Sequence, residues 1–269
     1  MVHFVGAGPG APDLITQRGA ALLQGADCII YAGSLVNPAL LGLAKPGCAL
    51  YNSAEMTLEQ VLDVMRQMEA AGKTTVRLHT GDPCLYGAIR EQMDALDAAG
   101  ISYDDTPGVS SFCGAAAALN AEYTLPTVSQ TVIITRMEGR TPVPEKEKLA
   151  SLASHGATMV IFLSIGLIDK VQQALLAGGA SAVVGYVNNV YTVYSRSMLW
   201  DTVNRLILGQ TLEEAVQHAQ DTYGSDDLVW YNAQGGRRPH AAAAYLRLFG
   251  DAEVRLIEPA ETAAVQQAA

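Results

Sequence analysis

The stretch Val2-His3-Phe4-Val5-Gly6-Ala7-Gly8-Pro9-Gly10-Ala11 runs from an apolar segment directly into a glycine-rich turn. Its first residues have the character of a short buried β-strand, and a helix-type spacing of apolar residues follows from Asp13 to Gln24. Glycines in such a turn let backbone N–H groups approach a ligand, and the N-terminus of the next helix favours negative charge. A strand, a glycine-rich turn and a helix in this order are typical of α/β proteins.

The alternation of strand-like and helix-like segments continues along the chain and predicts a mostly parallel sheet covered by helices. Further strands are expected at 28–31, 50–51, 76–79 and 102–104, and helices at 57–71 and 88–99. The polar segment 120–130, which contains Pro126, precedes a second series with strands at 131–135 and 159–163 and helices at 145–153 and 167–177. We therefore expect two α/β domains, residues 1–125 and 126–269.

Composition argues against several classes of protein. The chain has 269 residues with 17 Lys and Arg against 27 Asp and Glu, a net charge of −10 that does not suit nucleic-acid binding. No apolar run reaches the ~18 residues of a membrane span, and no signal peptide is recognised, so we expect a cytoplasmic protein. Cys28, Cys48, Cys84 and Cys113 form no C-x-x-C pair, so we expect buried free thiols and no metal site.

The first turn, Gly6–Ala11, satisfies the dinucleotide-binding pattern G-x-G-x-x-[G/A]. That pattern also requires an acidic residue near the end of the second strand, where this chain has Tyr31-Ala32-Gly33. Pro9 additionally removes a backbone donor from the turn. Nicotinamide binding and a tight turn without any ligand both remain alternatives for this segment.

Two further turns follow strands at the edge of the sheet where α/β proteins bind ligands. In His79–Gly87, Asp82 is suited to accept hydrogen bonds from ribose hydroxyls, and the alternative is an Asx turn with a helix cap. In Thr106–Phe112, Ser110 or Ser111 is suited to line a ligand site or to cap the next helix. The strand of the second series ends at Arg136.

These segments in this order resemble the tetrapyrrole (precorrin) methylase family. The resemblance extends over about residues 1–178, and its motifs are specific in combination although each is weak alone. The run Tyr31-Ala32-Gly33-Ser34-Leu35-Val36, together with His79 before the Gly-Asp turn, is most similar to the subgroup that methylates ring carbon C11 of a corrin precursor. The motifs that carry the resemblance are Val5–Thr16, Tyr31–Val36, Leu78–Pro83, Pro107–Phe112, Leu125-Pro126 and Thr135-Arg136.

The resemblance implies two α/β domains with S-adenosylmethionine in a cleft between them, a tetrapyrrole substrate and a homodimer. The residues that it assigns to the cofactor are Pro9, Gly81, Asp82, Leu85, Tyr86, Ser110, Ser111, Arg136, Phe162 and Leu163. The glycine-rich turn then faces the tetrapyrrole rather than a pyrophosphate, which fits the missing acidic residue. The residues assigned to the substrate are Gly8, Gly10, Arg18, His79 and Arg140.

Transfer of a sulfonium methyl group to an electron-rich ring carbon requires mainly positioning and exclusion of water. The sequence identifies no catalytic base, although Asp13, Asp104 and Asp105 are candidates. The substrate class carries acetate and propionate groups, which Arg18, Arg136 and Arg140 are suited to bind as bidentate partners. Surface solubility is the alternative role of these arginines.

Beyond residue 178 the sequence departs from the family pattern. The Trp-Pro-Asp stretch of the family is missing, Gly209–Leu212 has one residue more than the family's Gly-Thr-Leu, and an extra helix is expected at 197–208. The tail resembles, more weakly, the closing part of caspase-like (gingipain-type) cysteine peptidase domains. It contains no cysteine nucleophile, because Cys113 is the last cysteine. A degenerate or chimeric chain that binds a tetrapyrrole or a protein without turnover is therefore the alternative hypothesis.

Overall fold

A computed structural model describes residues 1–180, 182–186, 201–202, 204–206, 208–223, 230–231, 237–238 and 246–250. The chain divides into two compact units, Met1–Ala121 and Glu122–Ala269. The sequence predicts the boundary a few residues later, after residue 125. No described helix is long and apolar enough to cross a membrane.

The first unit is built on a five-stranded sheet in which every strand pairing is parallel. Its strands in spatial order are β3 (Ala49–Asn52), β2 (Cys28–Tyr31), β4 (Thr75–His79), β1 (Val2–Gly6) and β5 (Tyr103–Thr106). β4 is buried along its whole length, as expected for a central strand that is covered by helices on both faces. The α/β class predicted from the sequence is confirmed.

Four helices follow strands or turns of this sheet: α1 (Gln17–Gly25), α2 (Leu58–Ala70), α3 (Arg90–Ala98) and α4 (Ser111–Leu119). The start predicted for the first helix, at Asp13, is wrong, because Thr16 is the N-cap and its side chain accepts a hydrogen bond from Gly19 N. α2 begins as predicted, since Thr57 and Gln60 form a capping box.

The core of the first unit consists of two apolar clusters. One contains Phe4 from β1 and Met65 from α2, and the other contains Val5 from β1 and Leu23 from α1. Adjacent residues of a strand point to opposite faces, so Phe4 and Val5 supply the two clusters separately. All four of these side chains are fully buried. The well-packed sheet holds the carboxyl ends of its strands in a fixed arrangement.

The second unit contains a parallel pair, β6 (Val132–Arg136) and β7 (Thr158–Phe162). Its other described strand pairs are antiparallel: β8 (Ala182–Tyr186) with β11 (Leu246–Gly250), and β9 (Trp230–Tyr231) with β10 (Arg237–Arg238). Its helices include α5 (Leu149–Ala153), α6 (Ile168–Ala177) and α7 (Leu212–Tyr223). The helix predicted at 145–153 is divided, since Glu145–Glu147 is a 3-10 turn. Of the helix expected at 197–208, six of the twelve residues lie outside the described ranges, and the described residues 201–202 and 204–206 are helical.

The cysteines differ from the prediction of four buried thiols. Cys28 is buried and Cys48 is half-buried, but Cys84 and Cys113 are exposed. All four are free. Within the described ranges, no group of three or more His, Cys, Asp or Glu side chains is arranged to hold a metal ion.

Candidate active site

Three glycines meet where the carboxyl ends of β1, β4 and β5 converge, and we call Gly6, Gly81 and Gly108 the glycine junction. A Cβ atom on Gly6 would lie 2.5 Å from Gly108 Cα and 2.6 Å from Gly81 O. A Cβ atom on Gly108 would lie only 2.0 Å from Gly81 O. Backbone therefore packs directly on backbone, and this approach excludes any side chain at Gly6 or Gly108.

Hydrogen bonds fix the glycine-rich turn against the turn that follows β4. Gly81 N donates to Gly8 O at 2.9 Å, and Gly8 N donates to Gly81 O at 3.2 Å. Asn37 Nδ2 donates to Gly10 O at 2.8 Å. Pro9 packs close to α4, where a Cβ on Gly114 would lie 2.6 Å from Pro9 Cβ. The glycine-rich turn is thus held by the turn after β4, by Asn37 and by its packing against α4.

The Asp82 carboxylate joins two of the turns. Oδ1 accepts a hydrogen bond from Cys84 N at 2.9 Å, which closes an Asx turn, and Oδ2 accepts one from Gly108 N at 3.2 Å. The alternative of a helix cap is wrong, because α3 starts only at Arg90. Asp82 therefore links the turn after β4 to the turn after β5.

Next to the glycine junction, His79 Nε2 and Thr80 Oγ1 are buried and have no hydrogen-bond partner among the residues that the structure describes. The His79 side chain is 4% exposed, and burial, with a smaller contribution from the charge of Arg77, lowers its pKa to about 3. The imidazole is therefore neutral near pH 7. A buried polar atom without a partner is costly, and a ligand that supplies the partner gains that energy.

Arg77 lies two residues before His79 on the same strand and is also buried. Its Nε donates to Gln92 Oε1 at 3.1 Å and its Nη1 donates to Ile30 O at 3.1 Å. Burial lowers the pKa of Arg77 to about 10. Gln92 Nε2 in turn donates to Ala88 O at 3.0 Å, so this network reaches the loop that follows Asp82.

That loop carries backbone strain. Tyr86 has a φ of 59° and Ala88 a φ of 50°, both in the left-handed region that side chains disfavour. Leu85 is half-buried and Tyr86 is 41% exposed. Strained backbone of this kind is concentrated at functional sites in proteins.

Acidic side chains lie along β5 and in the turn after β4. Partial burial, followed by the charges of Asp82 and Asp104, raises the pKa of Asp105. His3 Nδ1 is 2.6 Å from Asp104 Oδ1. A hydrogen bond with Asp82 and desolvation raise the pKa of the Cys84 thiol to about 11, so this exposed thiol stays protonated at neutral pH. All three candidate bases are exposed; Asp104 pairs with His3, and Asp105 has a raised pKa to which the charge of Asp82 contributes.

Of the two roles expected for the serines of the third turn, side-chain capping of the next helix is wrong. Ser110 occupies the N-cap position of α4, but its side chain makes no capping hydrogen bond. Ser110 is 8% exposed, and Ser111 is exposed. The backbone of both residues lies at the glycine junction, since a Cβ on Gly81 would be 3.6 Å from Ser111 N and 3.7 Å from Ser110 Cα.

In the second unit, the Arg136 side chain holds the loop that follows β6 by hydrogen bonds to its carbonyl groups. Its Nη1 donates to Met137 O at 3.3 Å and Thr141 O at 3.2 Å, and its Nη2 donates to Pro142 O at 3.2 Å. Phe162 ends β7 beside Arg136, and Leu163 follows with its side chain 71% exposed. The two other arginines predicted to bind carboxylates, Arg18 and Arg140, are exposed.

The fold and the residues at the strand ends define the class of protein. Residues 1–192 match the family described as Tetrapyrrole (Corrin/Porphyrin) Methylases. The chain belongs to this family. The match extends beyond residue 178 and includes β8.

Two methyltransferases are similar in sequence to this chain, one over about two thirds of its length and the other over most of it. A cobalt-precorrin-4 C(11)-methyltransferase of Methanocaldococcus jannaschii is 58% identical over 178 residues, which are 66% of this chain and 69% of that protein. A precorrin-4 C(11)-methyltransferase of Rhodococcus erythropolis is 35% identical over 247 residues, which are 89% of this chain and 99% of that protein. Similarity at lower identity therefore extends into the tail.

Two solved structures of methyltransferases are also similar to this chain. A cobalt precorrin-4 methyltransferase structure has a TM-score of 0.65 and 49% identity, and the match covers 68% of this chain and 78% of that one. A uroporphyrin-III C-methyl transferase of Thermus thermophilus, complexed with S-adenyl homocysteine, has a TM-score of 0.56 and 25% identity. That match covers 69% of this chain and 76% of the other.

Several residues of the site were not singled out from the sequence. Thr80 and Arg77 flank His79 in sequence, but nothing in their local pattern shows that Thr80 Oγ1 is buried without a partner or that Arg77 bonds Gln92. Gly6 and Gly108 lie in the motifs Val5–Thr16 and Pro107–Phe112, yet their contact joins residues 102 positions apart in the chain. The available signal for Arg77 was a charged residue between the apolar Val76 and Leu78 of one strand.

Proposed function

We propose that this chain transfers the methyl group of S-adenosylmethionine to C11 of precorrin-4 or cobalt-precorrin-4 in cobalamin biosynthesis. The observation that carries the proposal is the glycine junction with Asp82 across it, in a chain 58% identical over 178 residues to a cobalt-precorrin-4 C(11)-methyltransferase. The proposal includes a homodimer, as the family resemblance implies, and a cytoplasmic location, as expected from the sequence composition. Light scattering tests the dimer, because the chain alone has a mass of 28.4 kDa.

The residues of the first unit fit S-adenosylmethionine. This cofactor carries a positive sulfonium, an ammonium, a ribose diol and an adenine ring. The negative charges of Asp82 and its acidic neighbours suit the cationic groups, and Thr80 Oγ1 is a buried hydroxyl that needs a hydrogen-bond partner. We assign to the cofactor the residues Pro9, Gly81, Asp82, Leu85, Tyr86, Ser110, Ser111, Arg136, Phe162 and Leu163.

The cofactor supplies an activated methyl group, and the chain's own residues bind and orient the two reactants. Asp82 holds the turns after β4 and β5 together, which fixes the backbone on which the donor would lie. His79 stays neutral, so its Nε2 is free to exchange a hydrogen bond with the substrate without adding charge. Gly8 and Gly10 are proposed to face the macrocycle, and the exposed Arg18 and Arg140 to bind its carboxylates. Such a site accelerates the reaction mainly by positioning.

Calorimetric titration of the 269-residue chain with S-adenosylhomocysteine tests the cofactor assignment. We expect micromolar binding with one molecule per chain. Absence of binding by a cooperatively folded chain would contradict the proposed methyltransferase and favour a chain that binds a tetrapyrrole or a protein without turnover. Titration with NADH, followed by fluorescence, separately tests the nicotinamide alternative, for which we expect no signal at millimolar cofactor.

The Asp82→Ala variant should bind S-adenosylhomocysteine more weakly by about 1–3 kcal/mol. The reason is that Gly108 N and Cys84 N lose their carboxylate acceptor, so both turns are released. Calorimetry measures the affinity, and circular dichroism confirms that the variant is folded. Glu55→Ala is a suitable control, because Glu55 is an exposed acid of the same unit whose carboxylate bonds only the nearby Asn52 side chain among the contacts described. Equal affinities of a folded Asp82→Ala variant and this control would refute the assignment of Asp82.

A further inference from the structure

Ser164 connects the carboxyl ends of the two parallel strands of the second unit. Its hydroxyl accepts a hydrogen bond from Met137 N at 2.8 Å and donates one to Phe162 O at 2.6 Å. Met137 directly follows β6, and Phe162 is the last residue of β7. The side chain is 5% exposed, so both hydrogen bonds are shielded from water.

The residue enclosed by this connection is held in a disfavoured conformation. Leu163 lies between Phe162 and Ser164 and has a φ of 53°, in the left-handed region that leucine rarely adopts. Its side chain is 71% exposed, and that of Ile165 is 79% exposed. The chain thus maintains strained backbone in order to present two apolar side chains outward, beyond the carboxyl end of β7. Strain that persists in this way is characteristic of functional sites.

At the amino ends of β6 and β7, Ser129 likewise accepts one backbone hydrogen bond and donates another. Ser129 Oγ accepts a hydrogen bond from Thr158 N at 2.9 Å and donates one to Thr131 O at 3.0 Å. Thr158 is the first residue of β7, and Thr131 directly precedes β6. α/β proteins bind their ligands at the carboxyl ends of parallel strands, not at the amino ends. The two serines therefore form a matched pair, one at each end.

We propose that Ser164 is a positioning residue that sets Leu163 and Ile165 as the apolar contact for the adenosyl part of the methyl donor. This inference rests on the proposed function, since it assumes that the donor contacts the end of β7. An adenine ring has two large apolar faces, and branched aliphatic side chains are the contacts that such faces favour in binding sites. The neighbouring loop is ordered by the three carbonyl contacts of Arg136, so the surface beside Leu163 is also fixed.

Three variants test this inference by calorimetry with S-adenosylhomocysteine and by thermal unfolding. Ser164→Ala should raise the Kd about tenfold, because one buried donor–acceptor group that holds two strand ends is lost. Ser129→Ala removes two hydrogen bonds of the same kind at a more exposed position, so it should lower Tm by no more than Ser164→Ala does and should leave the Kd within about twofold. Leu163→Gly relieves the positive φ, so Tm should stay constant or rise while the Kd still increases.

The outcomes separate this inference from the proposed function. If the unmodified chain binds S-adenosylhomocysteine but Ser164→Ala and Ser129→Ala have equal Kd values, Ser164 has only a structural role and the inference is overturned. A Leu163→Gly variant that binds as tightly as the unmodified chain overturns it as well. If the unmodified chain itself does not bind, the proposed function fails, and the inference fails with it.

Discussion

Replacing Gly108 with alanine is expected to destabilise the first unit by about 4 kcal/mol or more and to abolish methyl transfer. The new Cβ would lie 2.0 Å from Gly81 O and 2.7 Å from Gly6 Cα, and both of these are backbone atoms at the ends of central strands. No side-chain rotation relieves such an overlap. The strand ends must move apart, which also breaks the hydrogen bond from Gly108 N to Asp82.

Chemical denaturation measures this effect, with Gly25→Ala as the matched control. Gly25 lies at the end of α1 in the same unit, and a Cβ there would meet nothing within 4 Å. The control should therefore change the free energy of unfolding by less than about 1 kcal/mol. If Gly108→Ala and Gly25→Ala were equally stable, the close backbone approach at the glycine junction would be incorrect.

Acidification should destabilise the protein through His79. The pKa of His79 in the folded chain is about 3, whereas an unfolded histidine titrates near its ordinary value of 6.5. Between these values the unfolded state binds the proton and the folded state does not, so the free energy of unfolding falls as the pH decreases. From pH 7 to pH 4 this single group should remove roughly 3 kcal/mol of stability.

Comparison of variants isolates this contribution from the titration of the carboxylates. His79→Gln should show a shallower loss of stability between pH 6.5 and pH 4 than the unmodified chain, when unfolding is followed in urea at each pH. His155→Gln, at an exposed site, should follow the unmodified chain. Identical slopes for His79→Gln and the unmodified chain would mean that His79 is accessible to protons in the folded state.

Much of the first unit could be predicted because its strands and helices carry strong local signals. In the buried strand β4, the apolar Val76 and Leu78 come shortly before a turn, and the capping box at Thr57 marks the start of α2. The start of α1 was missed, because the apolar spacing continues back to Leu14 across a short 3-10 turn. Thr16, the N-cap residue that follows this turn, is the local signal for the start of α1.

The site was only partly predictable, because its geometry depends on contacts between distant segments. The turns that contain Gly6, Asp82 and Gly108 were each recognisable, and their order carried the resemblance to the family. The carboxylate contact from Asp82 to Gly108 joins two turns whose spacing in sequence carries no information about distance. The Arg136 side chain similarly bonds three carbonyls of its own loop, which a pattern of charges does not reveal.

The tail was the least predictable part of the chain. Its motifs differ from the family pattern, and its second half did not indicate a strand that pairs with β8. The structure places Leu246–Gly250 antiparallel to Ala182–Tyr186. A strand pairing across some 60 intervening residues depends on tertiary structure rather than on local sequence preference.

The most direct test of the account is methyl transfer itself. The purified chain is incubated with S-adenosylmethionine carrying an isotopically labelled methyl group and, separately, with precorrin-4 and cobalt-precorrin-4, and the products are analysed by NMR. We expect one labelled methyl group at C11 of at least one of these substrates, with an equal amount of S-adenosylhomocysteine released. A folded chain that binds both reactants but leaves the tetrapyrrole unlabelled, or labels another carbon, would contradict it.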